Sequence, residues 1–279
     1  MSSGVSPYDL HCHSTQSDGL LAPAAVVERA AQRGVRVVAL TDHDDTSGLE
    51  DARAAAAAAG IRLVDGVEVS LTWNEHTLHV VGLAIDRLNE TLAQGLHRNR
   101  GGRSERAQRI AAALEKIGIP GTLEGARKYV TNPDLVSRTH FARHLVESGR
   151  ARSTQLVFDR YLGAGRPGYV AHVWAGLDEA ITWIKAAGGL AVLAHPGRYK
   201  LDEAGRSTLL EMFRDLGGVG IEVVTGSHSP DEYGYWGRRA REFGLLASVG
   251  SDFHGPGESR DLGDLSALPA GCTPVWSRL

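Results

Sequence analysis

The segment YDLHCHSTQSDG, Tyr8–Gly19, places two histidines one residue apart where the first apolar run ends, and an aspartate five residues after the second. In an extended chain, residues i and i+2 face the same side, so His11 and His13 share a face and Cys12 looks away. Two imidazoles on one face can bind a metal, or can be ordinary surface histidines. The remaining apolar runs bear on that choice. ALTDHDD brings Asp42 and His43, DGVEVS brings Glu68, TLHVVG brings His79, AVLAHPGRY brings His195, and SVGSDFHG brings Asp252 and His254. If these groups converge on one rim, six of the twelve histidines meet Asp18, Glu68 and Asp252 there. Without an ion, such a cluster would leave many buried polar groups unpaired.

Imidazole and carboxylate without thiolate suit a transition-metal dication and disfavour Ca²⁺. Mn²⁺ is the expected ion, with Fe²⁺ or Zn²⁺ as alternatives. Nine donors are too many for one ion and suffice for up to three if a carboxylate is shared; Glu68 is the candidate bridge. Ions held close by a shared carboxylate can activate a bridging hydroxide and clamp a phosphoryl oxygen. Three dications, three carboxylates and one hydroxide leave the pocket net positive, so it should attract a phosphate dianion although the chain carries a formal charge of −3. Phosphoester hydrolysis is the chemistry this fits best.

These donors need a scaffold. Strand-length apolar runs at Tyr8–His11, Val35–Thr41, Ile61–Val69, Thr77–Ile85, Leu190–His195, Gly220–Val224 and Leu246–Ser251 alternate with helical patterns such as Ala22–Gln32, Gly48–Ala59, Leu177–Ala187, Gly205–Leu216 and Asp231–Phe243. Continuous apolar strands separated by helices predict a parallel sheet covered on its outside. Seven such units in 279 residues predict an α/β barrel of the TIM type with a missing or altered unit, whose active site lies at the C-terminal ends of the strands. Between Asn89 and Val170 only helical patterns appear, which predicts an inserted helical domain at 89–170 and a barrel built from 1–88 and 171–279. GAGRPGYV, Gly163–Val170, reads as the return linker. The first ten residues have no basic-then-apolar pattern, no apolar run is long enough for a membrane span, and two cysteines make no disulfide framework. A cytoplasmic protein without membrane contact is the expectation.

The motifs DLHCHSTQSDG, LTDHDD, GVEVS, LHVVG, LAHPGRY and GSDFHG, in this order, resemble those of the polymerase-and-histidinol-phosphatase (PHP) superfamily. The resemblance implies a distorted seven-stranded α/β barrel with a trinuclear metal site. Carried onto this chain, it implies one ion at His11, His13, Glu68 and Asp252, a second at Glu68, His79 and His195, and a third at Asp18, His43 and His254. The insert segment LVSRTHFARHLVESG resembles a narrower bacterial group. That likeness implies hydrolysis of nucleoside 3′,5′-bisphosphates, such as 3′-phospho-AMP, to the 5′-monophosphate and phosphate, or 5′-to-3′ trimming of short 5′-phosphorylated RNA. Histidinol-phosphate phosphatase activity and a non-catalytic scaffold remain as alternatives.

Ser137 precedes the helical pattern Arg138–Ser148 and can cap it. With Arg138 and His140 in the first turn, that helix start could seat a substrate phosphate. Arg198, three residues past His195, could reach a phosphate bidentately. His228, after the sixth strand, could protonate a leaving ribose oxygen. The arginine-rich stretch His97–Ile110 reads as a solvated helix face, since no aromatic residues interleave to stack bases. His76, His97, His144 and His172 read as ordinary. Trp73, Trp174, Trp183 and Trp236 read as core or interface residues. Asp42 and Asp44 could orient a neighbouring ligand.

Overall fold

A computed structural model describes residues 6–279; the first five residues of the expected barrel segment lie outside the described residues. The elements in chain order are β1 (Tyr8–Asp9), α1 (Pro23–Gln32), β2 (Val37–Leu40), α2 (Leu49–Ala59), β3 (Arg62–Trp73), β4 (His76–Leu83), α3 (Glu90–Gly101), α4 (Arg103–Glu115), α5 (Thr122–Arg127), α6 (Arg138–Glu147), α7 (Thr154–Val157), α8 (Leu177–Ala186), β5 (Leu190–Leu193), α9 (Glu203–Asp215), β6 (Gly220–Thr225), α10 (Pro230–Glu242) and β7 (Leu246–Gly250). The strands form one sheet in sequence order from β1 to β7. The ring closes where the Leu10 amide donates to the Val249 carbonyl at 3.0 Å and the Asp252 amide to the His11 carbonyl at 2.9 Å. The fold is the distorted seven-stranded α/β barrel that the sequence predicts.

One strand runs against the expectation of an all-parallel barrel. β4 is antiparallel to both β3 and β5, whereas the remaining neighbours pair in parallel. The cause is local. β3 continues to Trp73, and Asn74 and Glu75 then turn the chain with φ of 45° and 65°. Two successive residues in the left-handed region make a tight hairpin, whereas a parallel crossover needs a dozen or more residues. His79 therefore reaches the rim from the first half of its strand, opposite Ser70 of β3.

The pleat sorts the buried side chains into layers. Ala39, Val64, Val81, Val192 and Leu246 pack together as one cluster. Their neighbours Val38, Leu40, Val67, Val80, Leu193 and Ala247 pack into the larger core with helix residues such as Val26, Val27, Ile181 and Leu209. Inner positions farther along the same strands carry the polar groups of the rim. The 89–170 segment is helical, and its residues divide between two cores. Leu92 and Leu96 of α3 join the barrel core. From Ala107 to Val170, a separate cluster centres on Ile110, Leu114, Phe141 and Leu145.

Candidate active site

Glu68, on the inner face of β3, is fully buried. Five imidazoles surround its carboxylate. Oε1 lies 2.9 Å from His79 Nδ1, 3.0 Å from His195 Nε2 and 3.3 Å from His11 Nε2. Oε2 lies 2.7 Å from His43 Nδ1 and 3.3 Å from His13 Nε2. Burial would raise this carboxyl, but the imidazoles of His79, His43 and His11 outweigh it and hold it well below the usual carboxylate range. His11 and His13 do share a face: their Nε2 atoms are 3.2 Å apart. Asp252 Oδ1 lies 3.5 Å from one and 3.2 Å from the other. Asp18 Oδ1 lies 3.3 Å from His254 Nε2 and 3.8 Å from His43 Nε2.

These separations match the edges of a coordination polyhedron. Donors about 2.1 Å from a common ion stand roughly 3.0–3.5 Å apart. The donor atoms fall into four overlapping groups: His13, Asp18, His43 and His254; His11, Glu68 and His195; His11, His13 and Asp252; and His43, Glu68 and His79. Several of them are buried without a hydrogen-bond partner, namely Asp18 Oδ1, His43 Nδ1, Glu68 Oε2 and His79 Nδ1. His43 Nδ1 and Glu68 Oε2 approach to 2.7 Å without hydrogen-bond geometry. The residues fit divalent ions. Burial, reinforced by His254 and His43, pushes the His13 imidazole down to about 3, and burial pushes His79 down to about 4, so both present lone pairs at neutral pH. Burial would also lower His254, yet the Asp18 and Asp252 carboxylates raise it to about 9.

Other groups aim these donors. Glu222 of β6 accepts from His11 Nδ1 at 2.7 Å and, through its other oxygen, from the His195 amide at 2.6 Å. Asp42 accepts from the Ser14 amide at 2.7 Å and from the Ser17 hydroxyl at 2.5 Å, which fixes the turn carrying Asp18. Gly19 closes that turn, because a Cβ there would stand 2.4 Å from the His13 carbonyl oxygen. His195 and Asp252 both adopt positive φ, 27° and 55°, at the ends of β5 and β7. Arg198 donates to Asp252 Oδ2 at 3.0 Å from the other side.

A cavity of about 110 Å³ opens above the donors, roofed by the helical segment. Arg103, Arg106, Arg138 and Arg198 line it together with Ser137, Phe158 and Trp174. The Arg103 guanidinium pairs with Asp44 and lies 4.5 Å from the centre of the Trp174 ring. Arg106 and Arg138 have no carboxylate partner among the described residues; Arg106 donates to the Val170 carbonyl and Arg138 to the Leu162 carbonyl. Burial and the neighbouring Arg138 and Arg103 charges lower Arg106 to about 9. Ser137 caps α6 by accepting from the Thr139 amide at 3.1 Å, and its hydroxyl donates to Asp18 Oδ2 at 2.9 Å. One serine thus ties the helical roof to the donor cluster.

A model of the PHP domain matches residues 9–131, which include His11, His13, Asp18, His43, Glu68 and His79. The chain is 51% identical over 272 residues to the 3′,5′-nucleoside bisphosphate phosphatase of Chromobacterium violaceum, spanning 97% of this chain and 95% of that protein. The chain belongs to the PHP family. Among its PHP relatives, the 5′-3′ exoribonuclease Rnm of Escherichia coli is 44% identical, over 96% of this chain and 92% of the relative. A Chromobacterium violaceum structure described as an amidohydrolase, with bound sulfate and no metal, superposes with a TM-score of 0.96 at 50% identity, covering 98% of this chain and 95% of that one.

Within this PHP fold, all nine expected donors lie together at the rim, and Ser137, Arg138 and Arg198 line the cavity beside them. Three expectations change. His228 is not free to protonate a leaving group: its Nε2 accepts from the Gly197 amide at 2.9 Å and its Nδ1 donates to the Val223 carbonyl at 3.1 Å. With both nitrogens engaged and the ring buried, it braces the turn between His195 and Arg198. His140 does not reach the cavity either. It is fully buried, and its Nδ1 accepts from the Ser137 amide, completing the helix cap. The arginine-rich stretch is also more than a solvated face, since Arg103 and Arg106 are buried and line the cavity. The missed residue with the plainest signal is Glu222, an acid in the middle of GIEVV, where a buried strand should carry none.

Proposed function

We propose that this PHP protein is a metal-dependent phosphoesterase that cleaves the 3′-phosphoester of nucleotides bearing a 5′-phosphate. Its substrates are nucleoside 3′,5′-bisphosphates, short 5′-phosphorylated RNA, or both. The observation that carries this reading is the pairing of two sites: a rim of nine metal donors and, beside it, a cavity lined by Arg106 and Arg138, which have no carboxylate partner among the described residues. The Chromobacterium relative is named for nucleoside 3′,5′-bisphosphates and the Escherichia relative as a 5′-3′ exoribonuclease, and sulfate, which the Chromobacterium structure holds, is a tetrahedral dianion like phosphate.

In this reading His11, His13, Glu68 and Asp252 hold one ion, Glu68, His79 and His195 a second, and Asp18, His43 and His254 a third; Mn²⁺ suits the donors best. The chemistry such ions supply is an activated water at neutral pH and neutralisation of the phosphoryl oxygens. The chain's own part is positioning. Glu222 holds His11 in one tautomer, and Ser137 orients Asp18. Arg106 and Arg138 would seat the phosphate that is not cleaved, so that the ester oxygen is presented to the rim. Arg198, already bonded to Asp252, stands where it can also reach the cleaved phosphate. The helical segment at 89–170 therefore acts as the substrate-binding roof over a barrel that holds the metals.

Steady-state rates with Mn²⁺ on a nucleoside 3′,5′-bisphosphate, a short 5′-phosphorylated RNA and histidinol phosphate, measured side by side, test this. The nucleotide substrates should dominate. A preference for histidinol phosphate would refute the nucleotide reading, and no turnover on any of the three would favour a scaffold.

A further inference from the structure

The arginine-lined cavity is not the only space that meets the donor rim. A larger groove of about 570 Å³ starts at Asp252 and His254 and runs outward between the α7 segment and the loops that follow β6 and β7. The two spaces share Thr139, Phe158, Arg198, Asp252 and His254 as a common wall. Beyond that wall the groove is polar, with Thr154, Gln155, Ser227, Ser259 and Arg260. Its charges are unequal. Glu258 is held bidentately by Arg143, with contacts of 2.9 and 2.7 Å, and Asp252 by Arg198. Arg260 donates only to the Tyr233 hydroxyl, at 3.2 Å, and has no carboxylate partner among the described residues. The groove therefore carries one uncompensated cation at hydrogen-bonding reach of whatever lies in it.

We propose that this groove holds the part of an RNA strand that lies 3′ of the cleaved bond, and that Arg260 sets the preference for oligoribonucleotides over bisphosphates. The inference rests on the nucleotide reading above and goes beyond it. With the 5′-terminal phosphate in the arginine chamber, the next phosphate along the strand sits at the rim. The second nucleotide hangs from that phosphate through its 5′ oxygen. The groove, at about 570 Å³ against about 110 Å³ for the cavity, offers the larger space for it. Water adds to phosphorus, the bond from phosphorus to the 3′ oxygen of the first nucleotide breaks, and that oxygen takes up a proton. The products are a 5′-mononucleotide and a strand with a new 5′-phosphate, ready for the next round. A 3′,5′-bisphosphate loses the same bond but leaves the groove empty.

The test compares a 5′-phosphorylated tetraribonucleotide with a nucleoside 3′,5′-bisphosphate on the full chain loaded with Mn²⁺. Arg260→Ala should lower kcat/KM for the tetranucleotide about tenfold, the effect of one lost charged contact, and change that for the bisphosphate less than twofold. Arg260→Lys should recover most of the loss. The salt dependence of tetranucleotide binding should fall by about 0.7 in log–log slope, as for one phosphate contact to a single strand. Ser227→Asp, on the exposed side of the same groove, should impair the tetranucleotide alone. Equal losses on both substrates, or none on the tetranucleotide, would overturn the proposal. A wild-type enzyme that cleaves the bisphosphate and not the tetranucleotide would also overturn it while leaving the nucleotide reading in place. Failure on both would remove that reading as well.

Discussion

At the residue scale the protein is organised around one carboxylate. Glu68 touches five imidazoles, so its removal disturbs the positions proposed for two ions, whereas His195 contributes to one. Glu68→Ala is therefore expected to lose more metal and more turnover than His195→Ala, as read by elemental analysis and kcat side by side. The reverse order would show that Glu68 does not bridge. Glu222 makes a subtler contribution. It is not itself one of the nine expected donors, yet it fixes His11 through Nδ1 and the His195 turn through its second oxygen. Partners of this kind typically account for ten- to a hundredfold in metal affinity. Glu222→Gln should weaken Mn²⁺ binding by about that factor in competition with a chelator while leaving the far-ultraviolet circular dichroism intact. Unchanged affinity would mean that His11 is held by packing alone.

At the element scale, most of the nine donors were legible because they sit in short polar motifs at or just past the end of an apolar run; His79 instead stands in the first half of its strand. The direction of β4 was not read, although the signal was present. Only seven residues, Ser70–His76, separate the two expected strands, too few for a helical crossover. The cap at Ser137 was legible, but the fate of His140 was not, since a capping contact and a ligand contact look the same in sequence. Arg103 and Arg106 were hidden for a different reason: their burial depends on the Val170–Trp174 segment folding back over α4, a contact between positions far apart in sequence. These elements make a prediction of their own. Arg138→Ala and Arg106→Ala should each reduce kcat/KM on a 3′,5′-bisphosphate by roughly ten- to a hundredfold, the equivalent of about 1.5–3 kcal/mol for a charged hydrogen bond. Neither should much affect a small monophosphate ester, which has no second phosphate to lose. Equal losses on both esters would place these arginines in folding or in the metal centre.

On the reading proposed above, the barrel and its helical roof divide the work at the scale of the whole molecule. Barrel strands bring donors from distant parts of the chain to one rim, where β-sheet hydrogen bonds fix their spacing. The roof is anchored to that rim by Ser137 on Asp18, Arg103 on Asp44 and Arg143 on Glu258. It brings Arg103, Arg106 and Arg138 to the cavity beside the barrel's Arg198. The division explains why the sequence revealed the reaction more readily than the substrate: the reaction is written in barrel motifs, the substrate in contacts between two parts. The central claim is that the donor cluster binds the ions on which hydrolysis depends. The most direct test is to strip the protein with a chelator, restore it with Mn²⁺ in steps, and follow bound metal and bisphosphate hydrolysis together. The account predicts no turnover in the stripped protein and recovery that tracks the binding of more than one ion per chain. Full activity in protein shown to hold no metal would contradict it.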